Sequence, residues 1–318
     1  MNKTVKIILI AAAIMLAAGA AITALGFAFG GKGAMSLRFG NGHSGVSTEI
    51  SEETMDIDEF DSLTIDVSSV DVSIVKGDKF SLRYKTRKGE EPEVEQSGRS
   101  LSVKEPSKAN FVIFDFGFAD DLDTYTITVP EGSKEIEAKL KSSSGDLLIS
   151  GVKISGEVKS SSGDLLFENV EGAGLTVTAS SGSLSMNGLE SSDLAITTSS
   201  GDINGDKVKA DKISISTSSG ETNFLRLSAG SMTCAASSGD INIFDSELKE
   251  LSCDTSSGEL EIGLNGDSST YSYDISSSSG DIAVNKTVTE KSFVSEGSGD
   301  GNIKIKTSSG DINVQIGK

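Results

Sequence analysis

The sequence predicts an all-β protein, a single-stranded β-solenoid with coils of about 19 residues, preceded by one N-terminal transmembrane helix. Three observations lead to this prediction. A long apolar segment lies near the N terminus, apolar residues then alternate with polar ones, and a Ser-Ser-Gly-acidic motif returns at nearly constant spacing. Alternation with period two is typical of half-buried strands, and internal repeats of this size are typical of stacked architectures.

The composition fits a folded β protein and disfavours some partners. The chain has 318 residues, including 35 Gly and no Trp, and 36% of them are hydrophobic, which is enough to form a core. The formal charge of −19 at pH 7, without a basic stripe, disfavours a nucleic acid partner. Two cysteines, Cys234 and Cys253, are too few for a disulfide scaffold.

Residues 1–30 are interpreted as a membrane anchor. The segment from Ile7 to Gly30 carries no charge, and as a helix it spans about 36 Å, which exceeds a bilayer core of about 30 Å. Lys3 and Lys6 precede it, so the positive-inside rule predicts a single-pass protein of the cell membrane with an extracytoplasmic C-terminal domain. A cleaved signal peptide is the alternative, although its apolar region is normally about 7 to 15 residues long.

Residues 31–53 are rich in Gly and Ser and are predicted to be a flexible linker between anchor and domain. The only histidine of the chain, His43, lies in this linker. A lone histidine in such a segment is not expected to act as a metal ligand or as a catalytic base.

Residues 54–140 are predicted to form an N-terminal β region with a hairpin insertion that caps the solenoid, since alternating runs bounded by Gly and Pro indicate strands. Phe114, Phe116 and Phe118 fall on one face of a single segment. That segment either packs as a hairpin over the neighbouring structure or forms an exposed apolar tip that contacts a membrane or partner. The run VSSVDVSI, residues 67–74, is similar to an early coil with valine in the glycine position.

Residues 141–318 are predicted to be the repeat β-solenoid. The motif glycines stand 18 residues apart, then 19 five times, then 22 and 30, so each regular repeat forms one coil and the last two steps carry insertions. We expect Ser-Ser-Gly to form the corner between two strands, where glycine can adopt a positive φ. The motif glycines are Gly145, Gly163, Gly182, Gly201, Gly220, Gly239, Gly258, Gly280 and Gly310.

Apolar residues hold fixed positions around each motif glycine. They recur two and four residues after it and five and seven residues before it, with Thr222 and Gly205 as exceptions. Each coil therefore offers two short strands whose alternate side chains point inward. One coil cannot cover its own apolar face, so the coils must stack about 4.8 Å apart through parallel ladders that form two facing sheets.

The series of SSGDI, SSGDL and SSGEL turns between short Val/Ile/Leu strands, after a long apolar anchor, resembles the bacterial putative-adhesin domain family. This family of unknown function includes the LiaG-like membrane-anchored envelope proteins, and the resemblance covers about residues 50–318. It implies an extracytoplasmic β-solenoid of the cell surface. It implies no catalytic residues.

An acidic residue follows nearly every motif glycine, and Ser183 interrupts the row. In stacked coils these carboxylates stand in a line, where like charges repel by about 1 kcal/mol per pair in water. Either calcium ions lie between neighbours, or the acids are turn residues whose repulsion is screened by salt. Calcium binding predicts a higher melting temperature in calcium than at matched ionic strength. The weak metal candidates are Asp146, Asp164, Asp202, Glu221, Asp240, Glu259 and Asp281.

Two further sets of residues share a position in consecutive repeats. Asn204, Asn223 and Asn242 face outward, so their amides are predicted to form a hydrogen-bonded ladder, with partner binding as the functional alternative. Cys234 and Cys253 occupy one inward row and should be neighbours on adjacent coils. They are interpreted as small core residues, with a disulfide as the alternative.

These observations predict a non-enzymatic, membrane-anchored binding protein of the bacterial cell envelope, either an adhesin for a wall polymer or an accessory partner of an envelope protein. A passive structural spacer is the alternative. An enzyme acting on polysaccharides is less favoured, because the chain has no Trp and its predicted folded region has no histidine. The terminal strand around Ile312 and Val314 has no obvious cap, which predicts self-association through an exposed edge.

Overall fold

A computed structural model describes residues 36–38, 49–106, 112–115 and 123–317. In these segments all regular structure is β, apart from one 3-10 turn at Ser268–Thr270. The predicted anchor lies outside the described residues. No helix within the described part of the chain is long and apolar enough to cross a bilayer.

The N-terminal part contributes nine strands. The first and eighth form an antiparallel pair and belong to a small unit of their own. The other seven belong to the larger compact unit. The nine are β1 (Ser36–Arg38), β2 (Ile50–Asp56), β3 (Ser62–Val67), β4 (Asp71–Gly77), β5 (Ser81–Arg87), β6 (Glu93–Ser97), β7 (Ser100–Lys104), β8 (Val112–Asp115) and β9 (Thr124–Pro130).

The repeats then alternate long and short strands. They are β10 (Ile136–Ser142), β11 (Leu147–Ser150), β12 (Ile154–Ser160), β13 (Leu165–Glu168), β14 (Glu171–Ala179), β15 (Leu184–Asn187), β16 (Glu190–Thr198), β17 (Ile203–Asp206), β18 (Lys209–Thr217), β19 (Thr222–Leu225) and β20 (Ser228–Ala236). The C-terminal part contains β21 (Ile241–Ser257), β22 (Leu260–Leu264), β23 (Tyr271–Ser277), β24 (Ile282–Val284), β25 (Thr287–Thr289), β26 (Ser292–Ser295), β27 (Gly301–Ser309) and β28 (Ile312–Ile316).

Two parallel ladders run along the stack. The short ladder joins β11, β13, β15, β17, β19 and the start of β21, while the long ladder joins β10, β12, β14, β16, β18, β20 and the end of β21. Leu184 pairs with Ile203, and Ile203 pairs with Thr222. Because partners are 19 residues apart, one repeat is one coil, as predicted.

The predicted inward rows form one hydrophobic core, to which both ladders contribute side chains. Each short strand alternates buried and more exposed residues, and the exceptions Thr222 and Gly205 are buried as well. Two inward rows had not been predicted. One consists of small polar or Ala residues three before the motif glycine, such as Ser160, whose Oγ donates to the Gly163 carbonyl at 2.8 Å. The other contains Val170 and its equivalents at the opposite corner.

The coils do not all stack in chain order. The coil β27–β28 lies between β21–β22 and β23–β24, pairing in parallel on both sides. The prediction of an exposed edge at Ile312 and Val314 is therefore wrong, because their strand has neighbours on each side. The coil β3–β4 likewise lies between β7–β9 and β10–β11, which confirms the early coil around Val70.

Antiparallel strands cover both ends of the stack. At one end β5 pairs with β9, β2 pairs with β5, and β6 pairs with β7. At the other end β25 pairs with β24 and β26 pairs with β23, so the insertion before β27 supplies two short terminal strands. The antiparallel strands end the parallel ladders on both sides. Short edge strands are a common protection against pairing with other chains.

The motif glycines form one continuous column at the first corner of the coils. An added Cβ at Gly182 would lie 2.0 Å from the Gly163 carbonyl oxygen, and one at Gly163 would lie 2.1 Å from the Gly145 oxygen. The column passes from Gly258 to Gly310 and then to Gly280, which matches the interleaved order of the coils. Five of these glycines, from Gly220 onward, have positive φ as predicted, but the first four do not. Glycine is required throughout because neighbouring backbones approach too closely for a Cβ.

The second corner of the coil, six residues after the motif glycine, holds a row with positive φ. Its members include Gly188 with φ 73°, Lys207 with φ 54° and Arg226 with φ 56°. Their backbone N–H groups donate to carbonyls of the next coil, as from Lys207 N to Leu225 O at 3.0 Å. The left-handed conformation is thus used at this corner even where the residue is neither Gly nor Asn.

Candidate functional site

The outward face of the short ladder carries the predicted asparagine row. Asn204, Asn223 and Asn242 are in register on β17, β19 and β21. Nδ2 of Asn223 donates to Oδ1 of Asn204 at 3.1 Å, and Nδ2 of Asn242 donates to Oδ1 of Asn223 at 2.9 Å. The predicted amide ladder is confirmed. It stops at Glu261, the next residue in register, because a carboxylate has no hydrogen to donate.

Two large apolar side chains lie beside this ladder. Leu225 and Phe244 are register partners two residues further along their strands, and they are 44% and 42% exposed. Between them and the asparagines is a surface depression of about 420 Å³. Its floor includes Gly205, where an added Cβ would lie 2.5 Å from the ring of Phe224. The asparagine face, defined as Asn204, Asn223, Asn242, Leu225 and Phe244, thus combines amides with an apolar wall.

One ion pair lies at the margin of the asparagine face. Arg226 Nε donates to Asp206 Oδ1 at 2.8 Å, and its Nη2 contacts both carboxylate oxygens. This bidentate pairing holds the two ions together. The five residues of the face carry no charge themselves, while Glu221 and Glu261 border the asparagines. The face suits a partner with both polar and apolar groups.

The acidic row at the first corner has a structural partner on the next coil. Asp146 Oδ1 accepts from Asp164 N at 2.8 Å, and Asp164 Oδ1 accepts from Ser183 N at 2.8 Å. Asp202 and Asp240 accept in the same way from the N–H groups of the following coil. These charge-assisted bonds offset the repulsion between neighbouring carboxylates.

The acidic row is also the candidate metal site predicted from the sequence. Within the described segments, no group of three or more His, Cys, Asp or Glu residues is arranged to hold a metal ion. Asp281 N donates to Asp311 Oδ1 at 2.8 Å, so the last coils continue the hydrogen-bonded row. Calcium binding stays a prediction.

The phenylalanine segment is only partly described. Phe114 lies in β8, which pairs antiparallel with β1, whereas Phe116 and Phe118 lie outside the described residues. The proposed apolar tip therefore stays a prediction.

The two cysteines are register partners on β20 and β21, as predicted. Both are free and buried, each with 2% of its surface exposed. A hydrogen bond with Cys234, together with burial, raises the pKa of the Cys253 thiol. The hydrogen bond and the burial both keep the Cys253 thiol protonated. The two cysteines therefore serve as core residues.

Comparison with known proteins places this architecture in a family. Residues 60–315 match the family described as Toastrack DUF4097. The chain belongs to this family. The matched segment begins before the early coil and ends in the last strand, so the interleaved coils at both ends are part of the Toastrack domain. No curated protein matches the sequence.

Several solved structures are similar to this chain at low sequence identity. One is a putative lipid binding protein from Parabacteroides distasonis, which is 18% identical, with a TM-score of 0.51, coverage of 85% of this chain and 97% of the other. A putative adhesin from Parabacteroides merdae is 15% identical with a TM-score of 0.40, and the coverage is 85% and 94%. Another putative adhesin from Parabacteroides distasonis is 13% identical with a TM-score of 0.40, and the coverage is 86% and 96%.

Sequence reasoning found the amides of the asparagine face but missed Leu225 and Phe244. Both stand at the outward position before the second corner, where other repeats carry polar residues such as Asn187 and Asp206. An apolar residue at an outward repeat position was the available signal. It becomes visible only after each repeat is assigned an inward and an outward register.

Proposed function

We propose that this Toastrack protein is a non-enzymatic binding protein of the bacterial cell envelope. Residues 7–30 anchor it in the membrane, and the β domain lies outside the cytoplasm. The observation that carries the binding role is the exposed pair Leu225 and Phe244 beside an ordered amide ladder. Exposed apolar side chains next to ordered polar groups are typical of contact surfaces.

The membrane assignment rests on sequence. Ile7–Gly30 is long enough to span a bilayer, and Lys3 and Lys6 place the N terminus inside. A protease added to intact protoplasts should remove a C-terminal tag while an N-terminal tag stays protected. Protection of both tags, or release of the domain into the medium, would contradict the anchor.

The asparagine face favours an active binding role over a passive spacer. A spacer needs no ordered amides next to an exposed phenylalanine and leucine. Between the two binding roles, we favour contact with an envelope protein, because the face combines an apolar wall with amides, as protein interfaces do. Adhesion to a wall polymer is the other role, and the experiment below distinguishes them.

In-cell photocrosslinking tests this proposal. A photoreactive residue replaces Leu225 in the full-length protein, and a matched probe replaces Thr233, an exposed residue of the long ladder. Recovery of one membrane protein from the Leu225 probe alone is the expected result. Recovery of wall polymer alone would favour adhesion, and equal background from both probes would favour the spacer.

Substitution of the apolar wall gives the energetic test. Phe244→Asp should weaken capture from the Leu225 probe by about tenfold or more, since central apolar contacts of an interface commonly contribute more than 1.4 kcal/mol. Circular dichroism should stay unchanged, because Phe244 is exposed and its strand keeps all ladder bonds. Undiminished capture would show that the partner binds elsewhere.

A further inference from the structure

A second concave surface runs across the long ladder and shares no lining residue with the asparagine face. This groove has a volume of about 1050 Å³ and extends from Glu135 to Tyr271. It is more than twice as large as the depression beside the asparagines. It crosses six consecutive coils, whose outer wall is formed by Lys153, Glu171, Glu190, Lys209, Ser228 and Glu247.

The groove follows a break in pairing that recurs in the long strands. In the pairing of β14 with β16, Gly172 pairs with Ser191 and Gly174 with Asp193, so Ala173 and Ser192 are skipped. The same skip recurs in the pairings of β16 with β18, β18 with β20 and β20 with β21. Both strands of each pair skip one residue, so the register is the same on the two sides of the break. The skipped residues line the groove.

The walls of the groove carry paired charges. Lys153 Nζ lies 2.9 Å from Glu171 Oε2, and Lys209 Nζ lies 2.6 Å from Glu190 Oε1. The hydrogen bond between Lys153 and Glu171 raises the pKa of the lysine and lowers the pKa of the glutamate, so both stay charged at neutral pH. Charged donors and acceptors therefore both line this wall, and both kinds can bind hydroxyl groups.

A tyrosine closes one end of the groove. Tyr271 Oη donates to the Leu248 carbonyl at 2.7 Å. An added Cβ at Gly301 would lie 2.5 Å from Cδ1 of the tyrosine, so the ring rests on bare backbone. The ring is fixed at both points. It offers a rigid aromatic surface at the end of a polar channel.

We infer that this groove binds a linear, uncharged polysaccharide along the axis of the stack. The coil spacing of about 4.8 Å is close to the advance of one β-1,4-linked pyranose, so successive sugars can lie over successive coils. Sugar hydroxyl groups suit the serine, lysine and glutamate side chains of the walls. The aromatic ring of Tyr271 suits the apolar face of a terminal sugar.

Two other polymer classes fit the groove less well. An extended peptide gains most of its affinity by pairing with an open strand edge, whereas the strands of the groove already have partners on both sides. A polyanion meets five acidic and three basic side chains, an unfavourable balance. An uncharged glycan avoids both costs.

The length dependence of binding tests the inference. Calorimetry with the full-length protein in detergent would use β-1,4-linked oligomers of glucose and of N-acetylglucosamine of increasing length. Affinity should rise with each added sugar and level off at about six units, one for each coil of the groove. Absence of binding to both series, or an affinity independent of length, would overturn the inference.

A pair of matched variants locates the site. Ser192→Arg places a long side chain on an exposed position inside the groove and should reduce affinity for the longest oligomer by about tenfold or more. Thr233→Arg changes an exposed position of β20 that does not line the groove. This control should leave the affinity unchanged. Equal effects of the two variants would overturn the assignment. So would peptide binding that Ser192→Arg blocks when no glycan binds.

The test separates the groove from the asparagine face. Phe244→Asp should leave oligosaccharide affinity unchanged while it weakens crosslinking from the Leu225 probe. Loss of glycan binding in Phe244→Asp would overturn the assignment to the groove. Failure of glycan binding and failure of the function proposed for the asparagine face are therefore distinguishable.

Discussion

The two corners of each coil solve the same geometric problem in opposite ways. At the first corner, backbones of neighbouring coils lie so close that an added Cβ at Gly182 or Gly201 would be 2.0 Å from a carbonyl oxygen. At the second corner the backbone turns through positive φ, yet Lys207 and Arg226 occupy that conformation. The first corner is restricted by contact between coils, and the second only by local backbone geometry.

This difference explains the appearance of the sequence. A steric contact at 2.0 Å admits glycine alone, so the first corner produces a visible repeat. A left-handed residue costs roughly 1–2 kcal/mol when it is not Gly or Asn, which a stacked coil can tolerate. The second corner therefore varies in sequence while its geometry stays constant.

Alanine substitution at the two corners should give the largest contrast. Gly182→Ala should destabilise the protein by about 3 kcal/mol or more, because the new methyl group must push two coils apart. Gly188→Ala should cost about 1–2 kcal/mol, because the nearest atom is the movable Asn169 side chain and only the φ of 73° is unfavourable. Urea unfolding of the full-length variants measures both, and equal shifts of the midpoint would refute the distinction.

The acidic residue that follows the first-corner glycine should give an intermediate effect. Asp164→Ala removes the acceptor of the Ser183 N–H and should cost about 0.5–1.5 kcal/mol. Glu221→Ala should change stability by less than about 0.5 kcal/mol, since no described hydrogen bond joins its carboxylate to the next coil's backbone. Thermal melting compares the two, with Asp164→Asn as a control that keeps an acceptor oxygen. A larger loss from Glu221→Ala would mean that the row acts mainly through its charge.

Relief of strain at the second corner should give the smallest effect, and it should be stabilising. Lys207→Asn should raise the free energy of unfolding by about 0.5 kcal/mol, because asparagine tolerates positive φ better than lysine does. Arg226→Asn should not, because it also removes the pair with Asp206. Urea midpoints of the two variants decide the point, and destabilisation by Lys207→Asn would show that the lysine has a role beyond the turn.

The fold was largely predictable because its main determinants are periodic. Rows such as Leu184, Ile203 and Ile241 recur at fixed positions, and the register of the ladders follows from their spacing. The asparagine ladder was predictable for the same reason. A constant period fixes which residues of two neighbouring coils align.

Other features could not be predicted because the period does not say which coils are neighbours. The 30-residue step before Gly310 indicated an insertion, but it did not show that Gly310 would stack directly on Gly258. The positive φ at the second corner was not predicted, because Lys207 and Arg226 are unusual residues for a left-handed turn. The groove lies over a break in pairing within the long strands, and no residue type marks that break in the sequence.

The interleaved coil β27–β28 has a consequence for export. A solenoid stacked in chain order can fold coil by coil as it emerges from a translocation channel. Here the coil β27–β28 belongs between two coils that precede it in the chain, so the strands of β21–β22 and β23–β24 cannot complete their pairing until β27–β28 has crossed. A protein exported as proposed above therefore exposes open strand edges throughout its passage, and a chaperone at the channel exit would protect it during that interval.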